Sequence, residues 1–157
     1  MSEGGVGKVA IIGIGSPMMG DDSIGPRLVA ELEGSVPGFD LIDMGTGGMQ
    51  LVHILAEHRA VILIDSADMG LSPGDSRLFS PEEVVSLKET RSYSLHDWDV
   101  LRSIEISREL GESPERILIL AVQPATLDMG EKLSPEVETG IPRYVEELKH
   151  ALETLMA

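Results

Sequence analysis

Four short apolar runs punctuate the chain: Val9–Ile14, Asp40–Met44, Val61–Ile64 and Ile117–Val122. Each has strand length and turn-forming residues nearby. A shorter run, Arg77–Phe79, predicts an edge strand. Between the runs, apolar positions recur at helical spacing over Pro26–Glu33, Met49–Glu57, Leu95–Leu110 and Pro135–Leu155. This alternation predicts one three-layer α/β domain over residues 1–157. Its sheet is twisted, mostly parallel and of about five strands, with helices on both faces and right-handed crossovers.

The turn between the first strand and the first helix reads Gly15-Ser16-Pro17-Met18-Met19-Gly20-Asp21-Asp22. A strand, a glycine loop and a helix in that order commonly cradle phosphate, because free backbone N–H groups and the helix N-terminus attract an anion. Here the loop ends in two acids instead of the Lys and Ser/Thr of a phosphate loop, and Met18 stands where a dinucleotide fingerprint needs glycine. Paired acids at the mouth of such a sheet point to a cation.

Ligands of open α/β sheets bind at the carboxyl ends of the strands, where the strand order reverses. Asp22 falls just past the first strand and Asp65 directly after Val61–Ile64, so neighbouring first and third strands would aim both at one crevice. Ser94 and Asp97 have capping-box spacing, which predicts His96 in the first turn of the next helix, its imidazole kept neutral by the helix dipole. Asp22, Asp65 and His96 can then converge as two carboxylates and one imidazole with open coordination positions.

Each residue also has a plainer reading. Asp21 or Asp22 could cap the first helix, Asp21 being the better candidate. Asp65 and Asp68 could serve loop amides, and His96 could be a structural first-turn histidine. His53, His58 and His150 call for no function. Met18 and Met19 read first as core contacts and second as an adaptable apolar lip for a peptide. The glycine-rich stretch Asp43-Met44-Gly45-Thr46-Gly47-Gly48 is either a turn or a floor on which a substrate segment lies.

Charge and composition narrow the chemistry. A formal net charge of −15 disfavours nucleic acid and anionic membrane surfaces as partners. With no cysteine, disulfides and thiolate metal sites are excluded, which leaves oxygen and imidazole ligands. The N-terminus lacks the basic region and cleavage site of a signal peptide, and no apolar run is long enough to cross a bilayer, so a cytoplasmic protein is expected.

The motifs Gly-x-x-Met-Met-Gly-Asp-Asp-x-x-Gly-Pro, Ile64-Asp65-Ser66-Ala67-Asp68-Met69-Gly70 with Pro73-Gly74, and a Ser-Leu-His turn resemble those of the nickel–iron hydrogenase maturation endopeptidases. The branch that processes formate-hydrogenlyase or coenzyme-F420-type hydrogenases is especially similar. The resemblance runs nearly the whole length and continues into Leu120-Ala121-Val122-Gln123-Pro124. It differs at Ser16-Pro17, where many members have Gly-Asn, and at Asp43-Met44-Gly45-Thr46, where Asp-Gly-Gly-Thr is common; both loops would shape the substrate groove.

The resemblance implies metal-binding and catalytic roles for Asp22, Asp65 and His96. The implied activity is removal of a C-terminal extension from a hydrogenase large-subunit precursor after nickel insertion. Nickel would arrive on the substrate, no nucleotide would be used, and Met18, Met19, Asp43, Gly45, Thr46 and Gly47 would touch the substrate. A monomer meeting its precursor is the simplest assembly. The alternatives are a nickel-binding chaperone that uses the same trio without cutting and, last, a nucleotide-dependent enzyme.

Overall fold

The computed structural model describes residues 8–45, 48–84, 94–95, 98–125, 130 and 132–156. The first apolar run becomes β1 (Lys8–Ile14), which passes through a 3-10 turn (Gly20–Ser23) into α1 (Ile24–Leu32). There follow β2 (Asp40–Gly45), α2 (Met49–Ala56), β3 (His58–Asp68), β4 (Ser76–Phe79), β5 (Ser94–Leu95), α3 (Trp98–Glu109), β6 (Arg116–Val122) and α4 (Pro135–Met156).

The main sheet has the order β2-β1-β3-β6-β4. Its first four strands are parallel, and β4 closes the edge antiparallel to β6, as the short polar-flanked run Arg77–Phe79 suggested. β1 is followed by β2 on one side, whereas the next crossover carries the chain back over β1 to β3 on the other. The order therefore reverses between the carboxyl ends of β1 and β3, which is the adjacency the sequence required.

Alternation along the central strands separates two apolar clusters. Val9 and Ile11 of β1 pack with Ile62 and Ile64 of β3, Leu28 and Leu32 of α1, and Tyr144 and Leu148 of α4. Ala10, Ile12 and Ile14 join Val61 and Leu63, Leu51 and Leu55 of α2, and Val100 and Ile104 of α3. A period of two sends successive strand residues to opposite sides of the pleat. Among the described residues, no helix is long and apolar enough to cross a membrane.

Two expectations are corrected. Val61–Ile64 is only the middle of β3, which runs for 11 residues. Asp65 and Ser66 continue the ladder beside Ala121 and Val122 of β6, and Ala67 and Asp68 pair antiparallel with Leu95 and Ser94. Ser94 is thus a strand residue and not the cap of a helix; α3 begins at Trp98. The local capping-box spacing is overridden by ladder bonds to a segment far away in sequence, which no window along the chain contains.

Close packing brings the first helix down onto the strand ends. A Cβ on Gly25 would lie 2.6 Å from the Ile14 nitrogen and 3.0 Å from the Ile64 carbonyl oxygen, closer than side-chain carbons approach backbone. Glycine at this position lets the start of α1 sit against both β1 and β3, immediately after the acidic turn.

Candidate active site

The loop after β1 turns back on itself. Gly15 has φ 138°, outside the range of ordinary residues, and a Cβ there would overlap the Asp22 carbonyl. Its amide donates to the Gly45 carbonyl at 2.6 Å, so the loops leaving β1 and β2 are tied together. Ser16 N donates to Asp22 Oδ2 at 2.7 Å, which fixes the carboxylate under the loop that carries it.

The other oxygen of Asp22 meets β3. Ser66 Oγ donates to Asp22 Oδ1 at 2.8 Å, while the Ser66 amide donates to Asp65 Oδ1, also at 2.8 Å. One serine therefore bridges two carboxylates, one from the turn after β1 and one from within β3. The pairing of β1 with β3 stops at Gly13–Ile64, one residue before Asp65, so the acids lie where the two strands part.

Both carboxylates are only 1% exposed. Burial disfavours the charged form, and a neighbouring negative charge disfavours it further. The Asp65 carboxyl is accordingly held well above the ordinary carboxylate range, first by burial and then by the charge of Asp22, with the Ser66 amide bond opposing both. Carboxylates forced this close and this dry gain from a cation between or beside them.

The third member of the predicted trio, His96, lies outside the described residues, as do Thr46 and Gly47 of the second loop. Among the described residues no three acidic or imidazole side chains group as metal ligands. Leu95, the residue before His96, is placed by its pairing with Ala67, two residues beyond Asp65.

Asp21 does not cap the helix that follows it. The 3-10 turn and α1 have no side-chain cap bond. Asp21, also buried, accepts instead from Ala125 N and Ser134 N at 2.7 Å and from Ser134 Oγ at 2.8 Å. It fastens the first loop to the exit of β6 and to Ser134 at the entry of α4. Its partners lie more than a hundred positions away, so nothing local could announce them.

The remaining candidates divide. Asp43 accepts from the Gly45 amide at 2.9 Å in a short turn, and Gly45 has φ 59°. Asp68 accepts from Gly70 N and from Gln123 Nε2, the loop role expected of it. Gln123 Oε1 in turn takes Met69 N and Leu71 N, so the exit of β6 holds the loop after β3. Met18 and Met19 are not core residues: they are 53% and 37% exposed. Both nitrogens of buried His58 are engaged, Nδ1 with the Ile54 carbonyl and Nε2 with Asp40 Oδ2, which makes it a brace between α2, β2 and β3.

Sequence reasoning missed Ser66. The only trace it leaves is a hydroxyl next to an acid that follows an apolar run, and its second partner depends on the register of β1 against β3.

Comparison with known proteins identifies the family to which the fold belongs. A family model described as hydrogenase maturation protease (HycI) matches residues 26–151. The hydrogenase expression/formation protein HupD of Bradyrhizobium diazoefficiens is 32% identical over 85% of this chain and 72% of its own length. The hydrogenase 2 maturation protease of Escherichia coli is 29% identical over 92% of this chain and 90% of its own. The solved structure of the hydrogenase maturating endopeptidase HybD from E. coli superposes with a TM-score of 0.83 at 28% identity, covering 94% of this chain and 93% of that one. With the family model spanning well over half of its length, the chain belongs to the hydrogenase maturation protease family.

Proposed function

We propose that this protein is an endopeptidase that removes the C-terminal extension of a nickel–iron hydrogenase large-subunit precursor once nickel has been inserted. The precursor's nickel is the recognition element, met by Asp22, Asp65 and His96. The observation that carries this reading is the pair of buried carboxylates joined through Ser66 at the switch point of the sheet, in a chain of the maturation protease family. The pairing of Leu95 with Ala67 supports His96 as the third member. Oxygen and imidazole donors suit a divalent metal such as nickel.

Specificity then follows from linkage. A precursor without nickel forfeits the metal contacts, and about 4 kcal/mol of lost coordination separates the two precursors by roughly a thousandfold. Nickel seated in the precursor beside the cut would supply a Lewis acid to the scissile carbonyl. Asp22, carried on the glycine loop, accepts a proton from the attacking water, whose oxygen bonds to the carbonyl carbon. The C–N bond breaks and the amide nitrogen leaves with a proton. The protein works as a cytoplasmic monomer and uses no nucleotide.

Side-by-side incubation of the purified protein with nickel-loaded and nickel-free precursor tests the reading. A shortened large subunit is expected from the loaded precursor alone. Equal cleavage of both removes nickel recognition, and binding of loaded precursor without cleavage turns the protein into a chaperone.

Ser66 has a measurable part in this scheme. Ser66→Ala deletes the hydroxyl donated to Asp22 but keeps the amide bond to Asp65. A hydrogen bond to a charged group is worth about 1.5–3 kcal/mol, so kcat is expected to fall roughly ten- to a hundredfold, with Ser66→Thr retaining most of the rate. Steady-state cleavage assays of the two variants decide it.

A further inference from the structure

The loop that carries Asp22 has a second side. Met18 and Pro17 on that loop, Pro26 and Arg27 on the first turns of α1, and Leu133 just before α4 surround an open groove of about 340 Å³. Ser23, the residue after Asp22 in the sequence, lies on its wall, so the groove is built in part by the segment that carries Asp22. Its walls are braced: Gly130 N donates to the Met18 carbonyl and Gly20 N to the Gly130 carbonyl, both at 2.8 Å. Met18 is left more than half exposed on a fixed backbone.

The lining states what fits. Two prolines, a methionine and a leucine offer apolar surface with few competing donors. The single cation, Arg27, is already committed to Glu31 and Glu138, so it offers no uncompensated positive charge to an acidic ligand. The chain as a whole, at −15, repels one. A groove of this volume takes two or three side chains of an extended peptide and has the size usual for ligand clefts.

We propose that this groove is the specificity pocket of the enzyme: it seats a bulky apolar side chain of the precursor, flanked by neutral or basic residues, within a few positions of the cut. The proposal rests on the endopeptidase reading and names the part of the substrate that the carboxylate site does not read. The nickel contacts report maturation state; the groove reports sequence. Exposed methionine suits the task, because its thioether side chain adapts to apolar partners of different shape.

The test is Met18→Glu, assayed with nickel-loaded precursor for both affinity and cleavage, beside Leu110→Glu, which adds the same charge at an exposed site on another part of the surface. Burying one apolar side chain is worth a tenfold or larger change in affinity. Met18→Glu is therefore expected to raise KM and Kd about tenfold or more with kcat within about twofold of wild type, and Leu110→Glu to change neither. A rise for Met18→Glu no larger than that for Leu110→Glu overturns the proposal.

A second arm replaces, one at a time, the apolar residues near the cleavage point of the precursor with Asp. One such position is expected to lose binding in wild type and to lose little more in Met18→Glu; full additivity at every position also overturns the proposal. Affinity and cleavage are read separately. A wild-type protein that binds the precursor without cutting it refutes the endopeptidase reading, while the groove is still judged by the affinity of Met18→Glu.

Discussion

Asp22→Asn is expected to abolish processing of nickel-loaded precursor while the folded protein persists. The two oxygens of Asp22 accept from Ser16 N and Ser66 Oγ. An asparagine keeps one of these acceptors and presents an amide to the other, a modest local loss. The functional loss expected from the proposed mechanism is larger, because that mechanism gives Asp22 both a metal contact and the proton of the attacking water. About 4 kcal/mol or more of transition-state stabilisation corresponds to a thousandfold or greater fall in kcat/KM. Removing one of two buried like charges also relieves the repulsion felt by Asp65, so the melting temperature should not fall by more than a few degrees. Cleavage assays with circular dichroism melts measure both halves, and wild-type processing by Asp22→Asn would remove the central role given to this carboxylate.

How much of this site was legible along the chain depends on the range of each interaction. Asp22 and Asp65 could be placed because two local patterns, an apolar run and an acid at or just beyond its end, combine with one topological rule about where parallel sheets reverse. The structure puts β1 beside β3, and the carboxylates share Ser66. Ser66 could not be read from the sequence. A serine beside an aspartate is commonplace, and only the register that stops at Gly13–Ile64 turns its hydroxyl towards Asp22.

The misread residues fail for the same reason in reverse. Ser94 and Asp97 have the spacing of a cap, yet Ser94 pairs with Asp68 across the sheet edge, where ladder bonds outweigh a local preference. Asp21 sits at the head of a helix, yet its carboxylate is taken by Ala125 and Ser134 from the far end of the chain. Met18 and Met19 look like core residues by type, but the bond pattern around Gly130 holds their backbone at the rim and leaves the side chains out. The central strands β1, β3 and β6 were legible because burial in a parallel sheet writes itself as a continuous apolar run.

Asp65→Asn is expected to stabilise the metal-free protein while abolishing processing. In the folded state the Asp65 carboxyl holds its proton to well above the ordinary range, foremost because it is buried and next because Asp22 is close. In the unfolded chain it ionises near its ordinary value of about 3.9. Between those two points the folded state binds the extra proton, so stability falls as pH rises through that interval. Below it both states are protonated and there is no penalty; above the folded value the penalty is complete. Asparagine cannot ionise and retains an oxygen for the Ser66 amide. The variant should therefore melt above wild type at pH 7, with the gap narrowing as pH is lowered towards 4. Calorimetric scans over that range in the presence of a chelator read the difference directly. A wild-type protein whose melting curve tracks the variant at every pH would show that Asp65 carries no such penalty. The expected pattern is that of a group whose burial beside a second carboxylate destabilises the fold, a strain that the proposed function relieves by binding the nickel of the precursor.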